Sequence, residues 1–456
     1  RFGEEPMFDL GGMALTSQAI GPKILWIQRH EPELYTAAHM FLGSSSYMVY
    51  RLTGEYVMDY HTASYYNPLF DLRHLCWDAR FAGPIVELDR LPKLMWSDQI
   101  AGAVTPAAAA ETGLKVGTPV TAGTIDAAAE AVSVGVVDPG DMMVMYGTTM
   151  FFIHVTGDPV PDPRMWATAF ALPGRYSVDG GMSTTGALTR WFRDNLAGEE
   201  MATEAAGGSN AYAALAEAAG RIPPGAEGVI CLPYFAGERT PINDPDARGV
   251  YAGLTLSHTK AHLYRASLEG TAYGVRHNLE TMSAMGAPPR RLVAVGGGAK
   301  NPLWLQIVSD VSGLPQDVPE RTIGASYGDA FMAGLATGIV SGPDALERDC
   351  VSPQRAAVSR RVFLRNEFAG SRGVSWWFAD TRFFACGLRM TPNLGHSTRD
   401  DTMFALALLA VTVRPRPVPE LHRPGGRLIA EVRRCRARGL EGSRRSGRLP
   451  LRTEKP

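Results

Sequence analysis

Residues 119–155 read PVTAGTIDAAAEAVSVGVVDPGDMMVMYGTTMFFIHV, and this stretch decides the fold class. Pro119 to Gly123 is a short apolar run that ends in glycine and reads as a strand. Asp126 to Val134 is alanine-rich and reads as a helix. Asp141 to Val155 then holds two apolar runs, Met142 to Tyr146 and Met150 to Val155, joined by Gly147-Thr148-Thr149. Two such runs with so short a glycine-containing connection predict a β-hairpin. A strand that enters a helix through a glycine turn, followed by a hairpin, is the pattern of a mixed α/β protein.

The same alternation extends outward. Downstream, Tyr176 to Asp179 reads as a strand, followed by Gly180-Gly181 and a helix through Leu188 to Phe192. Gly228 to Pro233 reads as a strand and Thr259 to Met285 as a long amphipathic helix. Arg291 to Val295 is a further strand, then come Gly296-Gly297-Gly298 and a helix from Pro302 to Ser312. Ser326 to Thr337 is a small-residue helix. Upstream, Pro22 starts a helix over Lys23 to Ile27. A second helix is expected over Phe41 to Leu52, with Gly54 as its left-handed stop. Asp71 to Trp77 and Arg80 to Leu88 read as short helical pieces.

Three glycine-rich turns stand at predicted strand ends: Gly123 before Asp126, Gly147-Thr148-Thr149, and Gly296-Gly297-Gly298 before Asn301. Bare backbone N–H groups at such turns can approach a phosphate, and a following helix adds the positive end of its dipole. One such turn usually only connects elements; three together point to a nucleotide site. The GxxxxGK[ST] and GxGxxG patterns are absent, and Lys300 has the wrong spacing for the former. Asp126 fits two roles, an N-cap of the alanine-rich helix and a general base at a strand-to-helix turn. His258 and His262 have i, i+4 spacing but no third ligand at a convincing offset, which argues against a metal site. Trp26, Trp77, Trp191 and Trp304 are expected in the core.

These segments carry a resemblance. Gly123-Thr124-Ile125-Asp126 with the alanine helix, then Pro139-Gly140-Asp141 and Gly147-Thr148-Thr149, resemble the centre of the FGGY carbohydrate kinases. Leu232 to Pro241, LPYFAGERTP, is similar to a hallmark of the xylulokinase branch, as are Arg248-Gly249 to Gly253-Leu254 and Arg265-Ala266 to Glu269-Gly270. Gly296 to Asn301, through Gln306 and Asp310, resembles the family's adenosine motif. Pro22 to Trp26 and Leu52 to Glu55 fit as well.

The resemblance covers about residues 15–345. It implies two actin-like, ribonuclease-H-like ATPase domains with ATP and sugar between them, the first domain incomplete at its N-terminus. It implies transfer of the γ-phosphoryl group of ATP, with Mg2+, to a sugar hydroxyl of a pentulose such as xylulose or a related polyol. By motif, Asp126 matches the catalytic base, Gly147, Thr148 and Thr149 a phosphate-binding turn, Gly186 a nucleotide-contacting glycine, and Gly297, Gly298 and Asn301 the adenosine side. Two departures stand out. No Asp-x-Gly-Thr hairpin precedes Gly11-Gly12, and Ala127 follows Asp126 where xylulose kinases commonly carry Asn. The alternative reading is a catalytically inactive fragment of such a kinase that keeps at most ligand binding.

Composition sets the remaining bounds. The chain has 456 residues, 45 Lys+Arg against 46 Asp+Glu, and 45% apolar residues. That length favours two domains, and the near-zero net charge argues against nucleic acid or an anionic membrane as partner. No run reaches the about 18 apolar residues of a membrane span. Five scattered cysteines without CxxC spacing suit reduced thiols in a cytoplasmic protein. Residues 351–456 hold 20 Arg and 1 Lys against 8 acids and show no sustained periodicity. Such a tail reads as the product of a shifted reading frame, as a disordered tail, or as a nucleic-acid arm, in that order. The expected organisation is therefore 1–137 as the remainder of an N-terminal sugar-kinase domain, 138–345 as a C-terminal nucleotide-binding domain, and 346–456 as the Arg-rich tail. A small-molecule sugar and ATP are the expected partners, with a homodimer as the expected assembly. With its opening segment absent, the first domain is expected to leave strands unpaired at an exposed apolar edge.

Overall fold

A computed structural model describes residues 3–16, 18–319, 323–343 and 353–356. The chain divides into Arg1–Gly387 and Leu388–Pro456, and every described residue belongs to the first unit. The Arg-rich tail lies outside the described residues apart from 353–356.

Among the described residues seven strands form the main sheet: β1 (Asp141–Tyr146), β2 (Met150–Thr156), β3 (Trp166–Ala169), β4 (Tyr176–Met182), β5 (Arg291–Val295), β6 (Gln316–Pro319) and β7 (Pro353–Ala356). Their spatial order is β7-β6-β5-β1-β2-β4-β3. The hairpin read from the sequence is present, with Tyr146 opposite Met150 in an antiparallel ladder. β4 pairs antiparallel with both β2 and β3. β5 runs parallel to β1, with Val295 beside Met145, and β6 runs parallel to β5. Helices fill both faces: α1 (Asp126–Ser133), α2 (Gly186–Leu196), α3 (Lys260–Ala284), α4 (Pro302–Ser312) and α5 (Ala325–Ala336).

Alternation along each strand sorts the core into two layers. Met142, Val144, Phe152, Val178 and Leu292 face α2, α3 and α4, where Phe192, Leu268 and Val308 meet them. Met143, Ile153, Val155 and Val293 face the other way, onto Ala128, Ala129 and Val132 of α1 and Phe331 and Met332 of α5. Strands buried on both faces read as continuous apolar runs, which is why β1, β2 and β5 stood out in the sequence.

Upstream, helices Gly21–His30 and Ser44–Thr53 accompany three two-stranded ladders. Val57–Asp59 pairs with Lys93–Met95, Phe70–Asp71 with Cys76–Trp77, and Ile100–Ala103 with Pro119–Thr121. Their apolar cluster, including Ile24, Met58, Leu69 and Phe70, reaches Ala167 and Ala169 of β3. Val57, Met58 and Asp59 are buried, and their ladder with Lys93–Met95 holds two strands, so each keeps one edge without a partner strand among the described residues.

Other expectations need correction. Asp71 to Trp77 is a hairpin, not a helix, because Asp71 Oδ1 accepts from the amides of Arg73 and His74 and turns the chain locally. Arg80 to Leu88 holds no α-helix; Pro84 removes a backbone donor in its middle, and only a 3-10 turn forms at Leu88–Arg90. The helix expected from Phe41 begins at Ser44, after an extended Gly43. β4 continues through Gly180 and Gly181 to Met182 rather than ending at Asp179. Trp304 is buried, but Trp26 and Trp191 are 55% and 39% exposed and are not core.

Phe192 is fully buried where α2 meets the sheet and packs edge-on against Tyr264. Phe192→Ala is expected to cost about 3–5 kcal/mol of stability. Urea unfolding followed by circular dichroism checks this, and a loss under 1 kcal/mol would contradict the core assignment.

Candidate functional site

The β1–β2 connection is Gly147-Thr148-Thr149, with both threonines exposed. The N-terminus of α2 stacks on it. Gly186 N–H donates to the Gly147 carbonyl at 3.1 Å and Ala187 N–H to the Thr148 carbonyl at 2.8 Å. A Cβ at Gly186 would collide with the Gly147 carbonyl oxygen, so only glycine permits this approach. The first two amides of α2 are thereby occupied. The exposed hydroxyls of Thr148 and Thr149 are the donors that this turn presents outward.

The third turn lies alongside. Because Val295 pairs with Met145, the chain leaves β5 at Gly296 beside the point where it leaves β1 at Gly147. Gly296 and Gly297 are exposed, and Gly297–Lys300 forms a 3-10 turn. Asn301 caps α4: its Oδ1 accepts from Leu303 N–H at 3.1 Å and Trp304 N–H at 3.2 Å. Its oxygen is committed to the cap, which leaves the amide NH2 as a donor. Sequence-matched Gly147, Thr148, Thr149, Gly186, Gly297, Gly298 and Asn301 thus all lie where β1, β4 and β5 give way to loops.

Asp126 is exposed and opens α1. It is not the N-cap, which corrects that reading. Ile125 holds the cap position in extended geometry, and Asp126 Oδ1 accepts from Ala127 N–H at 2.8 Å. Ile125 and Ala127 pack in the cluster that contains Met145 and Phe151, and these two residues flank the Gly147–Thr149 turn. Asp126 therefore stands at the turn end of the sheet, although no hydrogen bond links it to a glycine turn among the described residues. The segment before it is tied down from upstream. Thr124 Oγ1 donates at 2.8 Å to Asp59, which is 1% exposed and also accepts from the amide and hydroxyl of Thr62.

A fourth segment, Tyr234–Pro241, binds these parts together. Glu238 Oε1 accepts from Ser183 N–H at 2.7 Å, and Thr184 Oγ1 accepts from Ala236 N–H at 3.2 Å. Arg239 Nη2 donates to the carbonyls of Met150 (3.1 Å) and Met182 (2.9 Å), the first residue of β2 and the last of β4. Gly181 makes room for it, since a Cβ there would fall 2.8 Å from Arg239 Nη2. Burial pushes the Glu238 carboxyl up to about 7, against the opposing pull of the Ser183 and Arg239 amides. Glu238, Arg239, Asp59 and Thr124 had no assigned role from the sequence. Thr124, Glu238 and Arg239 lie inside quoted motifs, but the contacts that give them a role, Asp59 with Thr124 and Glu238 and Arg239 with residues 150 and 182–183, are long-range.

His258 precedes α3 and meets His262 edge-on with ring centroids 5.2 Å apart, while His262 Nδ1 accepts from Thr259 N–H in a capping box. Among the described residues no three His, Cys, Asp or Glu side chains gather as a metal site.

Residues 3–133 match the N-terminal domain, and residues 142–337 the C-terminal domain, of the FGGY family of carbohydrate kinases. The chain is 32% identical to a xylulose kinase of known crystal structure from Rhodospirillum rubrum, with a TM-score of 0.71 over 78% of this chain and 71% of that one. The chain belongs to the FGGY family of carbohydrate kinases. It is also 33% identical over 333 residues to a gluconokinase of Bacillus subtilis and 34% identical over 326 residues to a xylulose kinase of Escherichia coli. Each alignment covers 71% of this chain and 64% of the relative. The chain thus spans less than two thirds of the length of those two relatives.

The FGGY assignment carries the α/β, actin-like fold implied by the sequence resemblance, and the seven-stranded sheet with helices on both faces agrees with it. Among the described residues no helix is long and apolar enough to cross a membrane.

Glu238 also sets a pH dependence. Its folded value of about 7 lies above an ordinary carboxylate, so the native state holds more protons than the unfolded chain from about pH 4.5 to 7. The stability it contributes is fully present below that window and is lost as pH rises through about 7. Unfolding free energy should fall by on the order of 2 kcal/mol from pH 5 to pH 8. Glu238→Gln should remove most of that slope in guanidinium titrations at the two pH values, and an unchanged slope would assign it to other groups.

Proposed function

We propose that this FGGY-family chain is an ATP-dependent kinase that phosphorylates a hydroxyl of a pentulose such as xylulose or a related sugar or polyol. The observation that carries the reading is the stacking of Gly186 on Gly147-Thr148, beside the Gly296–Gly298 turn and at the Asp126 end of the sheet. The proposed domains are 1–137 and 138–345, with the site along their junction. Phosphoryl transfer needs positioning and charge stabilisation more than covalent chemistry by the protein. Thr148 and Thr149 hydroxyls would hold the phosphates at the hairpin turn, with Gly147 and Gly186 allowing close approach. Gly297, Gly298 and the Asn301 amide would border the adenosine. The Asp126 carboxylate would take the proton of the attacking sugar hydroxyl as its oxygen bonds to the γ-phosphorus, while the bond from that phosphorus to ADP breaks. Mg2+ would enter with ATP and neutralise phosphate charge. The described residues form no acidic cluster that would hold the ion alone, and no protein ligand is assigned to it.

The relatives act on different sugars by name: gluconokinase, xylulose kinase and ribulokinase. A coupled ADP-release assay with D-xylulose, D-ribulose and D-gluconate separates them. Turnover with a pentulose supports the reading. Binding of nucleotide without sugar-dependent turnover replaces it with the ligand-binding reading.

Asp126→Asn is expected to lower kcat by about 100- to 10,000-fold with little change in KM for ATP. Turnover within a few-fold of the parent protein would remove Asp126 as the base.

A further inference from the structure

Glu238 is 5% exposed, and only one of its carboxylate oxygens is used. Oε1 accepts from Ser183 N–H (2.7 Å) and Arg239 N–H (2.8 Å), while Oε2 is buried without a hydrogen-bond partner. Arg239 Nε is likewise buried and unpartnered. Buried polar groups are nearly always bonded, so both atoms call for an explanation. Their location supplies one. Ser183 begins the turn that ends at Gly186, and Gly186 lies on Gly147. Arg239 ties the first residue of β2 to the last residue of β4, and those two residues bracket the same pair of turns.

The loop is itself fixed. Thr240 N–H donates to the Gly181 carbonyl at 3.1 Å, and Thr240 Oγ1 accepts from Gly181 N–H at 2.7 Å. The Thr240 hydroxyl donates to Asn278 Oδ1 of α3 at 2.8 Å. β3 pairs with β4 only as far as Asp179, so Thr240 takes up backbone groups of Gly181 that β3 leaves free.

We propose that Glu238 and Arg239 are positioning residues for the phosphate turns, and that Glu238 takes up a proton from solvent when nucleotide phosphates dock there. The inference rests on reading Gly147–Thr149 and Ser183–Gly186 as those turns. Phosphates arriving at these turns bring negative charge towards a buried carboxylate that has little water to screen it. Protonation at the free Oε2 relieves the repulsion and leaves the Oε1 bonds to Ser183 and Arg239 in place. The groups that face Glu238 are Arg239 and Tyr234 from its own loop and Ser183 from the end of β4. Tyr65, from the upstream segment, faces Arg239. Arg239 opposes the uptake and Tyr234 does not drive it, so the balance falls to the incoming phosphates. The free-state carboxyl, pushed up to about 7, is poised for the change at neutral pH.

Calorimetric titration of the full chain with ADP, between pH 6 and 8 and in buffers of different ionisation enthalpy, tests this. Binding of ADP is read without phosphoryl transfer, so it is independent of kinase turnover. Relative to Glu238→Gln, the parent protein should take up about half a proton at pH 7 and lose about tenfold in ADP affinity from pH 6 to 8. The titration of ADP itself is common to both proteins and cancels in the comparison. Arg239→Lys keeps the charge but not the planar fork, and it should weaken ADP about tenfold while retaining the proton uptake. Thermal melts of each variant confirm folding. Equal proton uptake in parent and Glu238→Gln, or none in the parent, overturns the inference and leaves the kinase reading standing. ADP that fails to bind the parent at all overturns both.

Discussion

The approach of Gly186 to the Gly147 carbonyl is the contact on which the rest of the site depends. It brings the N-terminus of α2 onto the β1–β2 turn with a pair of backbone hydrogen bonds. α2 then runs with Leu188 and Phe192 fully buried. Core packing and turn geometry are therefore not separable here. A side chain at position 186 would have to move either the helix or the hairpin turn, and dense interiors resist both. The turn is held from beneath by two apolar layers and from its flank by a helix end. That leaves Thr148 and Thr149 as the outward-facing part.

The upstream segment is joined to the sheet by apolar and polar contacts together. Ala167 and Ala169 of β3 belong to the same apolar cluster as Ile24, Met58 and Phe70. Beside them lies a buried polar seam. Asp179 of β4 accepts from the Tyr65 hydroxyl at 2.8 Å and the Thr168 hydroxyl at 3.1 Å, with His61 Nε2 at 3.9 Å. Burial pushes the Asp179 carboxyl up, and His61 opposes that shift. Removing one member of such a network leaves its partners desolvated and unpaired, which costs more than the lost bond itself. The Asp59–Thr124 bond is a second tie of this kind, and it acts on the segment that leads into Asp126.

Much of this was readable from residue order because the local signals agree. β1, β2, β5 and α4 have apolar runs bounded by glycine, proline or a capping Asn, and their bounds match the sequence reading closely. Gly180 and Gly181 look like a turn in the sequence, which hides the last residues of β4. In the structure they are strand residues whose missing side chains admit Met165, Thr240 and Arg239. β3 carries no local signal: Trp166-Ala167-Thr168-Ala169 is four residues long, and its pairing with β4 makes it a strand. Asp71–Trp77 forms a hairpin where a helical piece is expected because one carboxylate, capturing two amides, outweighs weak helix propensity over so short a span. The same holds for the site. The glycine turns and Asp126 carry a local pattern, whereas Glu238 and Arg239 acquire a role only when the chain returns from residue 234 onto residues 150 and 181–183.

That return explains why a loop with no regular structure holds a fixed position. Arg239 lies on the face of β4 that Asp179 and Gly181 share, the same face of the sheet on which α1 carries Asp126. Thr240, one residue later, meets Asn278 of α3, which packs on the opposite face. Consecutive residues thus grip both sides of the end of one strand, and each grip requires a glycine beneath it. A site assembled from turns gains close backbone approach but loses the rigidity of helices and strands. Here the rigidity is restored by side chains that bond to the backbone of the turns themselves. Such bonds hold geometry without adding bulk at the surface where a phosphate would lie.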